Sequence, residues 1–315
     1  MTDVAVLGGG AWGRALAAVA ARAGRRTMLW ARDPVRVTVG DPAVTVTGDL
    51  TAVAAPVVVL AVPAVAIVEV VRAALPHLLD DAILVNAAKG LDPDTGDTLD
   101  RALAAVTAAR PVAVLSGPSF AAEVARGEPT AVTVAAIDPN VAARVVDVLA
   151  GPTFRLYTTT DVIGVEIAGA LKNVLAIACG IAAGLGFGAN ARAALITRGL
   201  AELGRLVLAE GGRRETVMGL AGLGDVVLTC TSDQSRNFAF GRRLGEGASI
   251  EAARTASRGV IEGATSAAPM VARADRLGVE LPIAAAVDRV LSHGADLGHE
   301  VAALLARPPR GDEAT

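Results

Sequence analysis

The chain has 315 residues, enough for two domains of ordinary size, and a formal net charge of -3. That charge excludes the basic surface that nucleic acid or an anionic membrane would need. The composition is 53% hydrophobic but only 3% aromatic, so the core must be built from Ala, Val and Leu. Cys179 and Cys230, the two cysteines, form no C-x-x-C pair; they read as small buried hydrophobes, not a disulfide framework or a zinc site. No basic leader precedes the first apolar run, which points to a soluble, cytoplasmic protein.

The run Val4–Leu7 reads as a strand, followed by GGGAWG at residues 8–13 and a helical stretch that stops at Gly24. Strand, G-x-G-x-x-G and helix in that order form the dinucleotide-binding fingerprint. Gly8 allows the tight turn, Gly10 lets a pyrophosphate approach the backbone, and Gly13 lets helix and strand pack closely. The helix N-terminus then faces the phosphates. A second strand, Thr27–Trp30, ends at Arg32 and Asp33. Arg32 suits a 2′-phosphate and so NADP, whereas a one-residue shift to Asp33 suits the ribose hydroxyls of NAD. An ordinary solvated loop arginine is the competing reading of Arg32.

Further strands are expected at residues 56–61, 81–86, 111–115, 130–135 and 153–157, forming a parallel sheet, with Pro63 opening a helix after the third strand. Ligands sit beyond the carboxyl ends of such strands. The loops carrying Lys89 and Ser116–Ser119 are therefore expected near the nicotinamide, where Lys89 could grip an anionic substrate. Ser119 also reads as a plain cap for a helix beginning at Phe120.

After Asp161 the strand pattern ends. Residues 161–187 form a long helix that is apolar all round, with Asp161 as N-cap and a stop near Gly184–Gly186. Lys172 and Asn173 interrupt it too near the middle for a membrane span. A buried Lys is costly unless paired or functional, and burial moves its proton affinity toward neutrality. A lysine that snorkels to the surface is the other reading. Glu166 is no obvious partner within the helix, because it shares a face with Asn173 and not with Lys172. Helical periods follow at residues 189–210, 236–244, 250–256 and 265–277, and past 283. The organisation expected is α/β: a Rossmann-like dinucleotide-binding domain over 1–160, an all-α domain over 161–306 and a disordered tail over 307–315. Two polar clusters stand out in the helical half. Asp225 follows a Gly-rich turn and could be a plain N-cap. Ser235, Arg236 and Asn237 open a helix, where backbone N–H groups and a guanidinium make a phosphate cradle or simply a capped helix with an exposed Arg. His77, His293 and His299 lie in no Gly-rich or strand-end loop, which leaves Lys172 as the proton-handling candidate.

The motifs GGGAWG (8–13), NAAKGL (86–91), LSGPSFAAEVARGEPTAV (115–132), the stretch 166–202, MGLAGLGDVVLTCTSDQSRN (218–237) and VIEG (260–263) together resemble the bacterial-type NAD(P)-dependent glycerol-3-phosphate dehydrogenases. The resemblance implies reversible reduction of dihydroxyacetone phosphate to sn-glycerol 3-phosphate, feeding glycerophospholipid synthesis. It implies Lys172 as proton donor and acceptor, and substrate contacts from Lys89, Gly117, Ser119, Lys172, Asp225, Ser235, Arg236 and Asn237. It implies cofactor contacts from Trp12, Arg32, Lys89, Ala121, Arg236, Val260 and Glu262, beside the glycines Gly8, Gly10 and Gly13, with NADP the expected cofactor and NAD the alternative. No metal is implied. Such enzymes usually carry a longer loop after the second strand, with a Tyr-Leu-Pro-Gly element; here residues 33–50 are short and lack it, which bears on cofactor preference. A related two-domain 3-hydroxyacid dehydrogenase and a catalytically silent NADPH-binding regulator are the competing functions. The small-residue helix at 189–210 suggests a homodimer.

Overall fold

The computed structural model describes residues 2–107, 110–257 and 259–307. The chain divides into two compact units: one is the chain through Asp92 together with Asp97–Glu166, the other Pro93–Gly96 together with the chain from Ile167. The division falls inside the helix Val162–Gly184, a few residues beyond the boundary at 160/161 expected from the sequence.

In the first unit, β1 (Val4–Leu7), α1 (Ala11–Arg22), β2 (Thr27–Trp30), β3 (Val44–Thr47), β4 (Val57–Leu60), α2 (Ile67–Ala74), β5 (Ile83–Asn86), α3 (Leu99–Ala104), β6 (Val112–Ser116), α4 (Ala121–Arg126), β7 (Thr130–Ala135), α5 (Pro139–Leu149) and β8 (Phe154–Thr159) follow one another. The strands make one eight-stranded sheet in the order β3-β2-β1-β4-β5-β6-β7-β8. Strands β1, β4 and β5 are buried along their whole length, as parallel strands covered on both faces must be. Alternate residues serve opposite faces: Val4 and Val6 join the cluster around α1, Ala5 and Leu7 the one around α2 and α3. The strand order reverses direction at β1, so the turn after β1 opens at the sheet's switch point.

Three expectations change here. β3 lies within residues 33–50, read above as a loop; it is a half-exposed edge strand paired with β2, so it has no apolar run to announce it. The sheet is not wholly parallel, because β7 pairs antiparallel with β6. Pro63 opens a short 3-10 turn, Ala64–Ala66, and α2 follows it.

The helix α6 (Val162–Gly184) begins as expected, with Asp161 Oδ1 accepting the Gly164 N–H at 3.0 Å. It is long and apolar enough to cross a membrane by length and composition, yet 89% of its most apolar stretch is buried inside the protein. The second unit continues with α7 (Ala189–Ala209), α8 (Arg214–Met218), a π turn (Leu220–Gly224), α9 (Asp225–Thr231), α10 (Arg236–Gly245), α11 (Ile250–Thr255), α12 (Glu262–Arg276), α13 (Pro282–His293) and α14 (Leu297–Leu305). Arg273 explains why Pro93–Gly96 joins this unit: buried against Glu210, its guanidinium also donates to Gly96 O at 3.1 Å. Of the tail expected to be disordered, Arg307 instead pairs with Glu280 at 2.9 Å, and residues 308–315 lie outside the described residues.

Glu202 ties α7 to the first turn of α13, accepting N–H groups from Ile283 at 2.7 Å and Ala284 at 3.3 Å. Burial pushes its carboxyl up to about 7 from 4.5. The folded state therefore holds a proton there that the unfolded chain has released, and stability falls as pH rises through the window from 4.5 to about 7. The loss is at most about 3 kcal/mol at 1.36 kcal/mol per pKa unit. Urea titrations at pH 5 and pH 8 should show Glu202→Gln losing much less stability over that interval than the parent; equal losses would refute the assignment.

Candidate active site

The first unit supplies a phosphate cradle. Gly8 has φ +130°, and a Cβ there would sit 2.5 Å from Ala61 O, at the end of the neighbouring strand β4. A Cβ on Gly13 would overlap Gly8 O, so only glycine lets α1 seat this close to the turn. A Cβ on Gly10 would meet nothing within 4 Å: the backbone there faces open space. The first turn of α1 carries no side-chain cap and no acidic residue, so its N–H groups suit an anion. These residues fit a dinucleotide pyrophosphate. Beyond β2, Arg32 is exposed, while Asp33 is bonded to Arg36 at 2.9 Å, which occupies the carboxylate that would favour ribose hydroxyls. Trp12 is half-buried against the sheet core.

A second cluster lies beyond β5 and β6. Lys89 Nζ donates to Gly117 O at 3.1 Å, and Ser119 Oγ donates to the same carbonyl at 3.0 Å. Gly117 has φ +147°, and a Cβ would lie 2.9 Å from Val132 Cα, so the turn requires glycine. Ser119 does not cap the next helix: Phe120 is the N-cap of α4, without a side-chain bond, and the hydroxyl turns back to Gly117. Ala121 is the first residue of α4.

In the second unit Lys172 is only 6% exposed, which excludes the snorkelling reading. Its Nζ donates to Asp225 Oδ1 and to Thr229 Oγ1, both at 2.8 Å, and the Thr229 hydroxyl donates to Asp225 Oδ1 at 3.2 Å. Asp225 is not the N-cap of α9. It is the first helical residue after the π turn, and its carboxylate forms a buried salt bridge with Lys172 Nζ. Glycines allow the close crossing that orders this region: a Cβ on Gly180 of α6 would overlap Phe238 O, and one on Gly241 of α10 would overlap Ile177 O. The helices α6 and α10 thus cross backbone against backbone, which brings the start of α10 beside Asn173. Asn173 Oδ1 accepts from Asn237 Nδ2 at 3.0 Å, Asn173 Nδ2 donates to Glu262 Oε2 at 3.3 Å, and Asn237 Oδ1 accepts the Gly263 N–H at 2.9 Å. Ser235 caps α10 through the Phe238 N–H at 3.2 Å, while Arg236 at the first helical position is exposed and the first turn has no acidic side chain. A Cβ on Gly259 would sit 2.7 Å from Arg236 Nη1, and Val260 and Glu262 follow in the same unit.

The structure thus brings together Lys172 with Asp225; Asn237, through Asn173, with Glu262; Arg236 with Gly259; and Lys89 with Gly117 and Ser119. Sequence reasoning missed Thr229, the structural part of Asn173, and a buried network in the first unit formed by Asn86, Asp100 and Glu166. The signal for Thr229 was its spacing of four from Asp225, which places both on one face of a helix. Cys179 and Cys230 are both buried and free. They touch, and the Cys230 thiol is pushed well above its usual range by its hydrogen bond with Cys179 and by burial. A cavity of about 470 Å³ in the second unit, lined by Ile181, Phe187, Leu195, Val287 and Leu304 among others, contains none of the site residues. Among the described residues no His, Cys, Asp and Glu cluster could hold a metal ion.

Chemically, a buried ammonium clamped by a carboxylate and a hydroxyl is a proton source, and a helix start with an exposed arginine is an anion seat. The family model described as NAD-dependent glycerol-3-phosphate dehydrogenase N-terminus matches residues 3–142, and the one described as its C-terminus matches residues 161–302. The glycerol-3-phosphate dehydrogenase (NAD(P)+) of Rhodospirillum rubrum is 47% identical, over 98% of this chain and 93% of that protein. That of Thioalkalivibrio sulfidiphilus is 48% identical, over 96% and 97%. Among solved structures, glycerol-3-phosphate dehydrogenase from Coxiella burnetii superposes with a TM-score of 0.92 at 39% identity, covering 97% of this chain and 99% of that one.

Proposed function

Because the chain belongs to the NAD-dependent glycerol-3-phosphate dehydrogenase family, we propose that it interconverts dihydroxyacetone phosphate and sn-glycerol 3-phosphate with NAD(P)H. The observation that carries the chemistry is the buried Lys172–Asp225–Thr229 cluster. Reduced nicotinamide, when bound, supplies the hydride that converts the ketone carbon to a carbinol. Lys172 supplies the proton: an N–H bond of its ammonium breaks as the O–H bond of the alcohol forms, leaving a neutral amine. In the reverse direction that amine takes the hydroxyl proton. Asp225 and Thr229 orient Nζ and keep it charged before transfer. Arg236, Asn237 and the start of α10 hold the substrate phosphate, with Ser235 fixing the helix start. Lys89, Gly117 and Ser119 contribute further substrate contacts. The cofactor roles fall to Gly8, Gly10 and Gly13 for the pyrophosphate, with Trp12, Arg32, Lys89, Ala121, Arg236, Val260 and Glu262.

NADP is the favoured cofactor in this reading, supported by the exposed Arg32 and by the engagement of Asp33 with Arg36. The product would supply glycerophospholipid synthesis in the cytoplasm, and the enzyme would work as a homodimer. Side-by-side oxidation of NADPH and NADH tests the reading. Dihydroxyacetone phosphate should be turned over, faster with NADPH, while unphosphorylated ketoacids should not. Cofactor binding with no turnover of any ketone would favour the silent regulator, and turnover of ketoacids alone would favour a 3-hydroxyacid dehydrogenase. Arg32→Ala should cut the NADPH preference.

A further inference from the structure

At the carboxyl end of β5, Asn86 is completely buried. Its Oδ1 accepts the Ala88 N–H at 2.9 Å, an Asx turn that sets the backbone leading into Lys89. Its Nδ2 donates to Glu166 Oε1 at 3.0 Å. The same carboxyl group accepts the Asp100 N–H at 3.1 Å, and Asp100 in turn accepts from the Thr98 hydroxyl at 2.5 Å. The Asn86 amide is therefore pinned at both ends, and the turn it makes leads directly to the lysine whose Nζ reaches Gly117. We infer that Glu166 is a positioning residue for Lys89, acting through the Asn86 amide and the Asn86–Lys89 turn. The inference rests on the reading of Lys89 as a substrate contact.

The chemistry of the network supports a positioning role for this side chain. Burial, and then its hydrogen bond with the Asp100 carboxyl, push the Glu166 carboxyl well above the usual carboxylate range. Asp100 is held below that range, despite burial, by the same hydrogen bond and by Thr98. That hydrogen bond favours a proton on Glu166 over one on Asp100, while Glu166 Oε1 takes the Asn86 amide. Removal of Glu166 leaves Asn86 Nδ2 buried without that partner, and an amide so freed can turn and release Ala88. A glutamine keeps both functions: its C=O accepts from Asn86 and Asp100, and its NH₂ donates to Asp100.

The test is a kinetic cycle on the full-length enzyme with dihydroxyacetone phosphate and NADPH. Glu166→Ala should raise KM for dihydroxyacetone phosphate by about 10- to 100-fold, the scale of a misplaced binding group. Glu166→Gln should stay close to the parent. Asn86→Ala should reproduce the Glu166→Ala defect, and it serves in its place if that variant does not fold. The decisive arm is Lys89→Ala combined with Glu166→Ala. If Glu166 acts through Lys89, the double variant is no worse in KM than Lys89→Ala alone. Multiplying KM losses, or a loss confined to kcat through a smaller folded fraction, would overturn the inference. A Lys89→Ala variant with unchanged KM would overturn the reading of Lys89 and, with it, the positioning role.

Discussion

Lys172→Ala is expected to lower kcat by about 10²- to 10⁴-fold, the usual contribution of a general acid, with little change in NADPH affinity. The two effects separate because the glycine cradle that suits the pyrophosphate is built from the turn after β1 and the start of α1, whereas the lysine is borne by α6. Loss of turnover alone would not distinguish proton transfer from collapse of a buried ion pair. Lys172→Arg makes that distinction. A guanidinium keeps the positive charge beside Asp225 and can hydrogen-bond to Thr229, yet it does not release a proton at any working pH. Lys172→Arg should therefore fold, bind NADPH and remain nearly as inactive as Lys172→Ala. Steady-state kinetics together with NADPH fluorescence titration measure both quantities. Parent-like turnover in the arginine variant would remove Lys172 from the chemistry.

The parts of this molecule legible in the sequence are those whose physics is local. GGGAWG carries its own reasons: each of the three motif glycines stands where a Cβ would clash with backbone or fill the open space over the turn. The buried strands β1, β4 and β5 announce themselves as short apolar runs, and α6 as a long one. What was not legible depends on partners distant in sequence. Asp225 lies 53 residues from Lys172 and Asn86 lies 80 from Glu166, so the sequence offers the ammonium and the acid without their pairing. The lysine could be recognised as out of place in an apolar helix, but its two readings could be separated only by its burial and its bonds. β3 escaped because half its surface is exposed at a sheet edge, and the reversal of β7 because a strand's apolar pattern does not record its direction. Ser119 was misread for a related reason: a serine before a helix looks like a cap whether its hydroxyl turns forward to the helix or back to Gly117.

Asp225→Ala is expected to be the most destabilising single substitution in the site. Asp225 is 1% exposed and Lys172 6%, so removal of the carboxylate takes a 2.8 Å charged partner away from a buried ammonium that the Thr229 hydroxyl alone cannot neutralise. Breaking a buried pair from one side typically costs about 3–5 kcal/mol, because the remaining charge has already lost its water. Replacing both members by apolar residues removes that penalty. Lys172→Met combined with Asp225→Leu should thus recover most of the stability lost by Asp225→Ala while remaining inactive. Denaturant titrations of the parent, the single variant and the double variant give the comparison. A cost below about 1 kcal/mol for Asp225→Ala would mean that water already reaches the pair. A double variant less stable than the single one would mean that shape and packing, not charge, dominate there. The expected ordering, an intact pair or no pair at all more stable than half of one, is what a site retained for its chemistry should show. An ion pair that is close to neutral for folding has its use in the proton it delivers.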